Sequence, residues 1–390
     1  MSIVRSHQDK DLRGRSLGLA LTTAFGLALL LAPVARGDVF VMKLVEPPSD
    51  DKPTIEVGGV PIVIDTGSNG GLSVTPATAT ALGMDPNGGR PTRIRGVGGT
   101  TRGRTGVPVP GGVGPSGAST PITPEGQAAT SPTMPGTARV RPTATSSQGL
   151  LGSGWLEGFE YGRIDGYFWM VAKDQGAEGV ATAIAMASFL GLPPAMKSAE
   201  TRSTGAQATE NDPQSAHVFF GRPPGTRSAI LAPTPPKSLP LGVLAADEGW
   251  QLDVDLIDPA AGATVVDVPF VIKSGLDMTL ISESLALELG LDLDTLPEVD
   301  TPSNFGTMTV RQATLELVLF DDPGFPTFMV AVGVSDAATN PFAENFIGGD
   351  ILSLLIYWEI SAVEGDGLTR FFAAVGTDAN SSQLRWSKSK

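Results

Sequence analysis

Pro61–Val74 reads PIVIDTGSNGGLSV, and Pro269–Ser282 reads PFVIKSGLDMTLIS. Each begins with proline and three apolar residues, then a charged residue, a hydroxyl residue and glycine. The first copy carries Asp65, Thr66 and Gly67, followed by Ser68; the second carries Lys273, Ser274 and Gly275. A short apolar run that ends in such a triplet reads as a buried strand running into a tight loop. The two copies therefore predict two related lobes, with a carboxylate in one loop and an ammonium in the other.

The surrounding sequence repeats as well. After the first copy, TPATATALGM predicts a helix with Thr75 as its N-cap, Pro76 at its first position and Gly83 as its stop. After the second, ISESLALELGLDL predicts a helix capped by Ser282 and stopped by Gly290. Farther on, each half has two apolar residues and a glycine: Leu150, Leu151 and Gly152, then Phe346, Ile347 and Gly348. GLLGSGWLEGFEYGRI is mirrored by FIGGDILSLLIYWEI. A repeat distance near half the chain means a duplicated domain, not a solenoid.

Composition narrows the chemistry. With no cysteine, disulfides and thiolate catalysis are excluded. There are two histidines, His7 and His217, so a histidine-rich metal site is out of reach. No metal and no cofactor is expected. The formal net charge of −14 opposes binding to a phosphate backbone, so no nucleic-acid partner is expected. GVGPSG, Gly112–Gly117, fits a dinucleotide-binding pattern, but it lies in a Pro/Gly-rich stretch without a preceding strand or following helix.

The N-terminus reads as an export signal, with an uncleaved membrane anchor as the alternative. Arg5, Lys10, Arg13 and Arg15 precede LGLALTTAFGLALLLAP, and Ala35 and Gly37 suit a cut before Asp38. The expected organisation is a signal at 1–37, a first lobe at 38–175 with a Pro/Gly/Ser/Thr-rich insertion at 106–148, and a helix with a Pro-rich connection at 176–240. A second lobe follows at 241–374 and a polar tail at 375–390. The helix is expected at Val180–Gly191 and a strand at SAHVFFG. The expected location is periplasmic or extracellular, with no membrane attachment once the signal is cut.

The paired loops and the later apolar-apolar-glycine segments resemble the aspartic peptidases, both pepsin-like and retropepsin-like. The resemblance implies a mainly β fold: two acid-protease-like β-barrel lobes with a few short helices. It implies that Asp65 activates a water for peptide-bond hydrolysis. It also implies that Thr66 and Ser274 tie the loops together, and that the apolar-apolar-glycine segments pack beneath them. By the same resemblance the hairpin tip Gly96, Val97, Gly98 and Gly99 is a candidate flap, without the tyrosine usual in pepsin-like flaps; the alternative is a plain hairpin turn. Asp277 falls on the family's second aspartate, which helps hold bound peptide backbone, and Asp350 falls where the family has Asp or Asn.

Lys273 is the departure from that pattern. Two close carboxylates share one proton, which lets one activate water and the other donate to the carbonyl. An ammonium in the second seat removes that arrangement. Two readings of Lys273 follow: an ion pair with Asp65, or a side chain that snorkels to water. Two functions follow as well. One is an exported endopeptidase whose Asp65 pairs with Asp65 of a second chain in a homodimer. The other is an inactive protein of this fold that binds peptide or serves a structural role.

Overall fold

The computed structural model describes residues 39–45, 52–123, 131–142, 149–164, 166–191, 237–240, 242–243, 250–303, 306–320, 325–342, 344–362 and 369–375. The expected signal, the SAHVFFG strand and the tail fall outside them. The described chain is mainly β, with acid-protease-like β lobes and a few short helices.

The first-half sheet contains β2 (Thr54–Val57), β3 (Val60–Asp65), β4 (Leu72–Val74), β5 (Arg90–Gly96), β6 (Gly99–Pro108), β7 (Thr137–Val140) and β8 (Gly149–Gly152). Its order is β2-β3-β8-β4-β7-β6-β5. The second-half sheet contains β12 (Gly242–Val243), β13 (Trp250–Ile257), β14 (Thr264–Ile272), β15 (Leu280–Ser282), β16 (Glu298–Ser303), β17 (Gly306–Val318), β18 (Phe328–Ser335) and β19 (Asn345–Ile347). Its order is β12-β13-β14-β19-β15-β18-β17-β16, and β13 also pairs with β17. From β3 and from β14 onward the two orders are the same. In each half the loop-bearing strand runs parallel to the apolar-apolar-glycine strand, with Ile64 opposite Leu151 and Ile272 opposite Ile347.

The third sheet joins the halves. It contains β1 (Val39–Lys43), β9 (Phe159–Ile164), β10 (Tyr167–Ala172), β11 (Lys237–Pro240), β20 (Leu355–Ala362) and β21 (Thr369–Val375), in the order β1-β10-β9-β20-β21-β11. The seam is β9 on β20, with Tyr161 opposite Ile360. Tyr161 and Phe168 pack on Trp358 on one face. The helix α3 (Gly176–Gly191) packs Val180, Ala183 and Ala187 on the other face.

Local chemistry sets the shorter helices as expected. Helix α1 (Pro76–Ala81) starts where Thr75 accepts from the Thr78 amide, and α4 (Glu283–Glu288) where Ser282 accepts from the Leu285 amide. Gly83 and Gly290 end them at positive φ, +74° and +77°, which glycine adopts without steric cost. The other two are α2 (Ser153–Leu156), after β8, and α5 (Gly349–Leu352), after β19.

Two expectations change. Helix α3 begins at Gly176, four residues before the expected Val180, on the turn made by Lys173–Gln175. The stretch 106–148 is not one loose insertion. β6 runs into it and β7 lies within it, between β4 and β6. Its backbone bridges Val57 at Pro115, and its serines tie it to β1 and β2: the Ser119 hydroxyl accepts from the Glu56 amide at 2.9 Å and donates to the Lys43 carbonyl at 2.7 Å. The Ser116 hydroxyl accepts from the Gly59 amide at 3.0 Å. Side chains here satisfy the strand groups that composition left without a partner.

The seam carries a buried carboxyl. Glu359 accepts from the Tyr357 hydroxyl and, at 2.7 Å, from Ser361. Burial pushes its carboxyl from 4.5 up to about 7; the Ser361 bond opposes this and the nearby Glu160 adds to it. The folded state therefore holds a proton that the unfolded state releases, and stability falls as pH rises between those two values. Glu359→Gln should gain stability relative to wild type across that window, on the order of 1–3 kcal/mol by pH 8. Urea unfolding of both proteins from pH 4 to 8 measures the difference.

Candidate functional site

The two triplet loops meet within one chain. The Thr66 amide donates to the Ser274 hydroxyl at 3.1 Å, and the Ser274 amide donates to the Thr66 hydroxyl at 3.3 Å. Each hydroxyl then donates to the strand behind the opposite loop, Thr66 to the Ile272 carbonyl at 2.8 Å and Ser274 to the Ile64 carbonyl at 2.7 Å. Both side chains are wholly buried. The glycines make this approach possible. A Cβ on Gly275 would lie 2.5 Å from the Asp65 carboxyl carbon, and one on Gly67 would lie 2.7 Å from Lys273 Cγ. Each glycine thus leaves room for the other lobe's charged side chain.

Lys273 sits opposite Asp65, but no ion pair joins them among the described residues. Its Nζ donates to the Gly67 carbonyl at 3.0 Å and lies 5.0 Å from the centre of the Phe346 ring. It is buried, with 6% of its surface exposed. A carbonyl dipole and an aromatic face together hold the ammonium, in place of a direct bond to the Asp65 carboxylate. Asp65 is wholly buried. Its Oδ1 accepts from the Gly67 amide at 3.1 Å, and its Oδ2 has no hydrogen-bond partner among the described residues.

The segments beneath the loops are placed as pairs. In the first half, the Ser153 amide and hydroxyl donate to the Ser68 carbonyl, and the Gly152 amide donates to Gly71. A Cβ on Gly152 would lie 2.2 Å from the Ser68 and Gly70 carbonyls. Leu150 and Leu151 are buried beside it. In the second half, the Lys273 amide donates to Ile347, and Gly349 to Leu276. The Gly348 amide donates to the Thr279 hydroxyl. Asp350 accepts from the Thr279 amide at 2.9 Å and hydroxyl at 2.7 Å. Burial pushes the Asp350 carboxyl up to about 6, and the Thr279 bonds oppose the shift.

The hairpin tip reaches the other lobe. Val97 is wholly buried against Val271, Leu276, Leu280, Met308 and Phe346. The Gly98 amide donates to the Thr339 carbonyl at 2.7 Å. The loops are therefore covered by Gly96–Gly99.

Two cations were not legible as site residues. Lys52, buried just before β2, pairs with Asp277 at 2.7 Å and joins the halves. In the sequence it stands among acidic residues and prolines, like any solvated lysine. Arg141 follows β7, donates its amide to the Val74 carbonyl and is buried. Burial pushes its guanidinium down to about 10, and the charge of Asp65 works against that shift. Nothing in its Pro/Ser/Thr-rich surroundings marked it out.

No family model matches the chain, and no curated protein matches it. Among solved structures it is similar to a retropepsin-like aspartic protease from Rickettsia conorii, with 15% identity over 36% of this chain and 94% of that chain, at a TM-score of 0.24. Its own lobes are acid-protease-like in form. The joining of their loops rests on two hydroxyls.

Ser274→Ala would strip partners from the buried Thr66 amide and Ile64 carbonyl together. Each unsatisfied group costs about 1–3 kcal/mol, so unfolding in urea should show a loss of roughly 2–4 kcal/mol. Ser282→Ala, which removes an ordinary helix cap, should lose about 1 kcal/mol.

Proposed function

We propose that this chain is a non-hydrolytic protein of aspartic-peptidase-like form, acting outside the cytoplasm, whose cleft receives an extended peptide. One observation carries the reading: the seat opposite Asp65 is filled by the Lys273 ammonium, tied to the Gly67 carbonyl at 3.0 Å. Hydrolysis by paired carboxylates needs one that is ionised and one that is protonated, with a water between them. Here a single carboxylate faces a fixed cation, and Asp65 has no exposed surface. Export is supported by the signal-like N-terminus.

The homodimer reading has less support. For Asp65 of two chains to meet, Thr66 would have to release Ser274, leaving four buried backbone partners of this lock to be satisfied by the second chain. Peptide binding is supported by the arrangement of two loops beneath a hairpin, whose Gly96–Gly99 tip, packed on the other lobe through Val97, would lift to admit the peptide. Extended peptides bind such sites through backbone hydrogen bonds, with side chains in alternate pockets.

The wild type should show no pepstatin-sensitive cleavage of a mixed peptide library between pH 3 and 7, followed by mass spectrometry. Cleavage that disappears in Asp65→Asn would overturn the reading. Separately, the protein recovered from outside expressing cells should begin at Asp38 by intact mass.

A further inference from the structure

The hairpin β5–β6 carries a charge pattern that the site does not use. Residues 86–124 contain five arginines and no Asp or Glu, in a chain with 41 acidic and 27 basic residues. The register sets Arg93 opposite Arg102, Arg95 opposite Thr100 and Pro91 opposite Arg104. Directly paired residues of an antiparallel hairpin point to the same side. Arg93, Arg95, Arg102 and Arg104 therefore share one face.

Only some of these charges serve the fold. Arg104 donates to the Gly88 and Gly89 carbonyls, and Arg95 lies over the Phe342 ring at 5.8 Å. Arg93 and Arg102 are exposed, and neither side chain has an ion-pair or hydrogen-bond partner among the described residues. Like charges directly opposite each other destabilise a hairpin. The arrangement persists although the chain has carboxylates in excess.

The backbone on the same element is also open. β5 is the last strand of its sheet, so one edge of Arg90–Gly96 has no partner strand among the described residues. That edge is held at both ends: by Arg104 at the base, and at the tip by the Gly98–Thr339 bond with Val97 buried. A fixed edge costs little further ordering on binding.

We infer that the outer edge of β5 is a docking site for an acidic, extended segment of a partner protein, which adds as a strand and sets its carboxylates against Arg93 and Arg102. Strand addition supplies backbone hydrogen bonds, and the arginines supply selection. The same charges exclude a second copy of the chain, since edge-to-edge pairing of two β5 strands would bring arginine against arginine. This surface is the open edge of the hairpin whose tip covers the loops, and the inference does not rest on what those loops receive.

The probe is a fluorescein-labelled eight-residue peptide of alternating Glu and Val, with the Lys/Val peptide and heparin as comparisons. Anisotropy at 50 mM salt should show binding of the Glu/Val peptide and none of the Lys/Val peptide. Binding should weaken by roughly tenfold or more in Arg93→Glu/Arg102→Glu and fall as salt screens the pairs. Arg93→Gln/Arg102→Gln should weaken it less, and thermal melts confirm that both variants fold. Hydrogen exchange should show the amides within Thr92–Gly96 that face the open edge protected by the peptide. Equal binding by the charge-reversed variant, or no binding at all, overturns the inference. So does heparin competing without any peptide-induced protection in β5, which would mark a general polyanion patch.

Discussion

The hydroxyls of Thr66 and Ser274 each reach across to the opposite half, accepting from one backbone amide and donating to one backbone carbonyl. All of these groups are buried, so none has water as an alternative. This exchange fixes where the two triplets stand relative to each other. Once it is made, Lys273 faces Asp65 within one chain, and the remaining contacts of the site follow from how the ammonium is accommodated. The shared six-stranded sheet supports the same arrangement from below by pairing β9 with β20.

Charge at this junction is distributed without a direct pair in the centre. Lys273 is held by a carbonyl and an aromatic face, while Asp65 accepts from its own loop and feels the charge of buried Arg141. Lys52 and Asp277 make the direct ion pair nearby. A buried ion pair is not by itself a stabilising device, because desolvation offsets the attraction, but it does fix register. The contacts around the two triplet loops thus hold the halves together without a central ion pair.

Much of this was legible in the sequence. The two triplets, the caps Thr75 and Ser282, the stops Gly83 and Gly290 and the apolar-apolar-glycine segments all act through local rules, and the structure places them in matching strand orders. What was hidden depends on contacts between distant segments. The partner of Lys273 is a carbonyl 206 residues away, which no pattern marks. β7 was obscured by its Pro/Ser/Thr-rich surroundings, and Arg141 with it. The β9–β20 seam pairs strands from different halves, which periodicity cannot show.

The most direct test is a crystal structure of the protein at a resolution that defines the Lys273 ammonium. The account predicts Nζ within hydrogen-bonding distance of the Gly67 carbonyl, and Thr66 and Ser274 exchanging hydrogen bonds within one chain. A two-fold dimer in which Asp65 of each chain meets its counterpart, with Lys273 turned out to solvent, would contradict it.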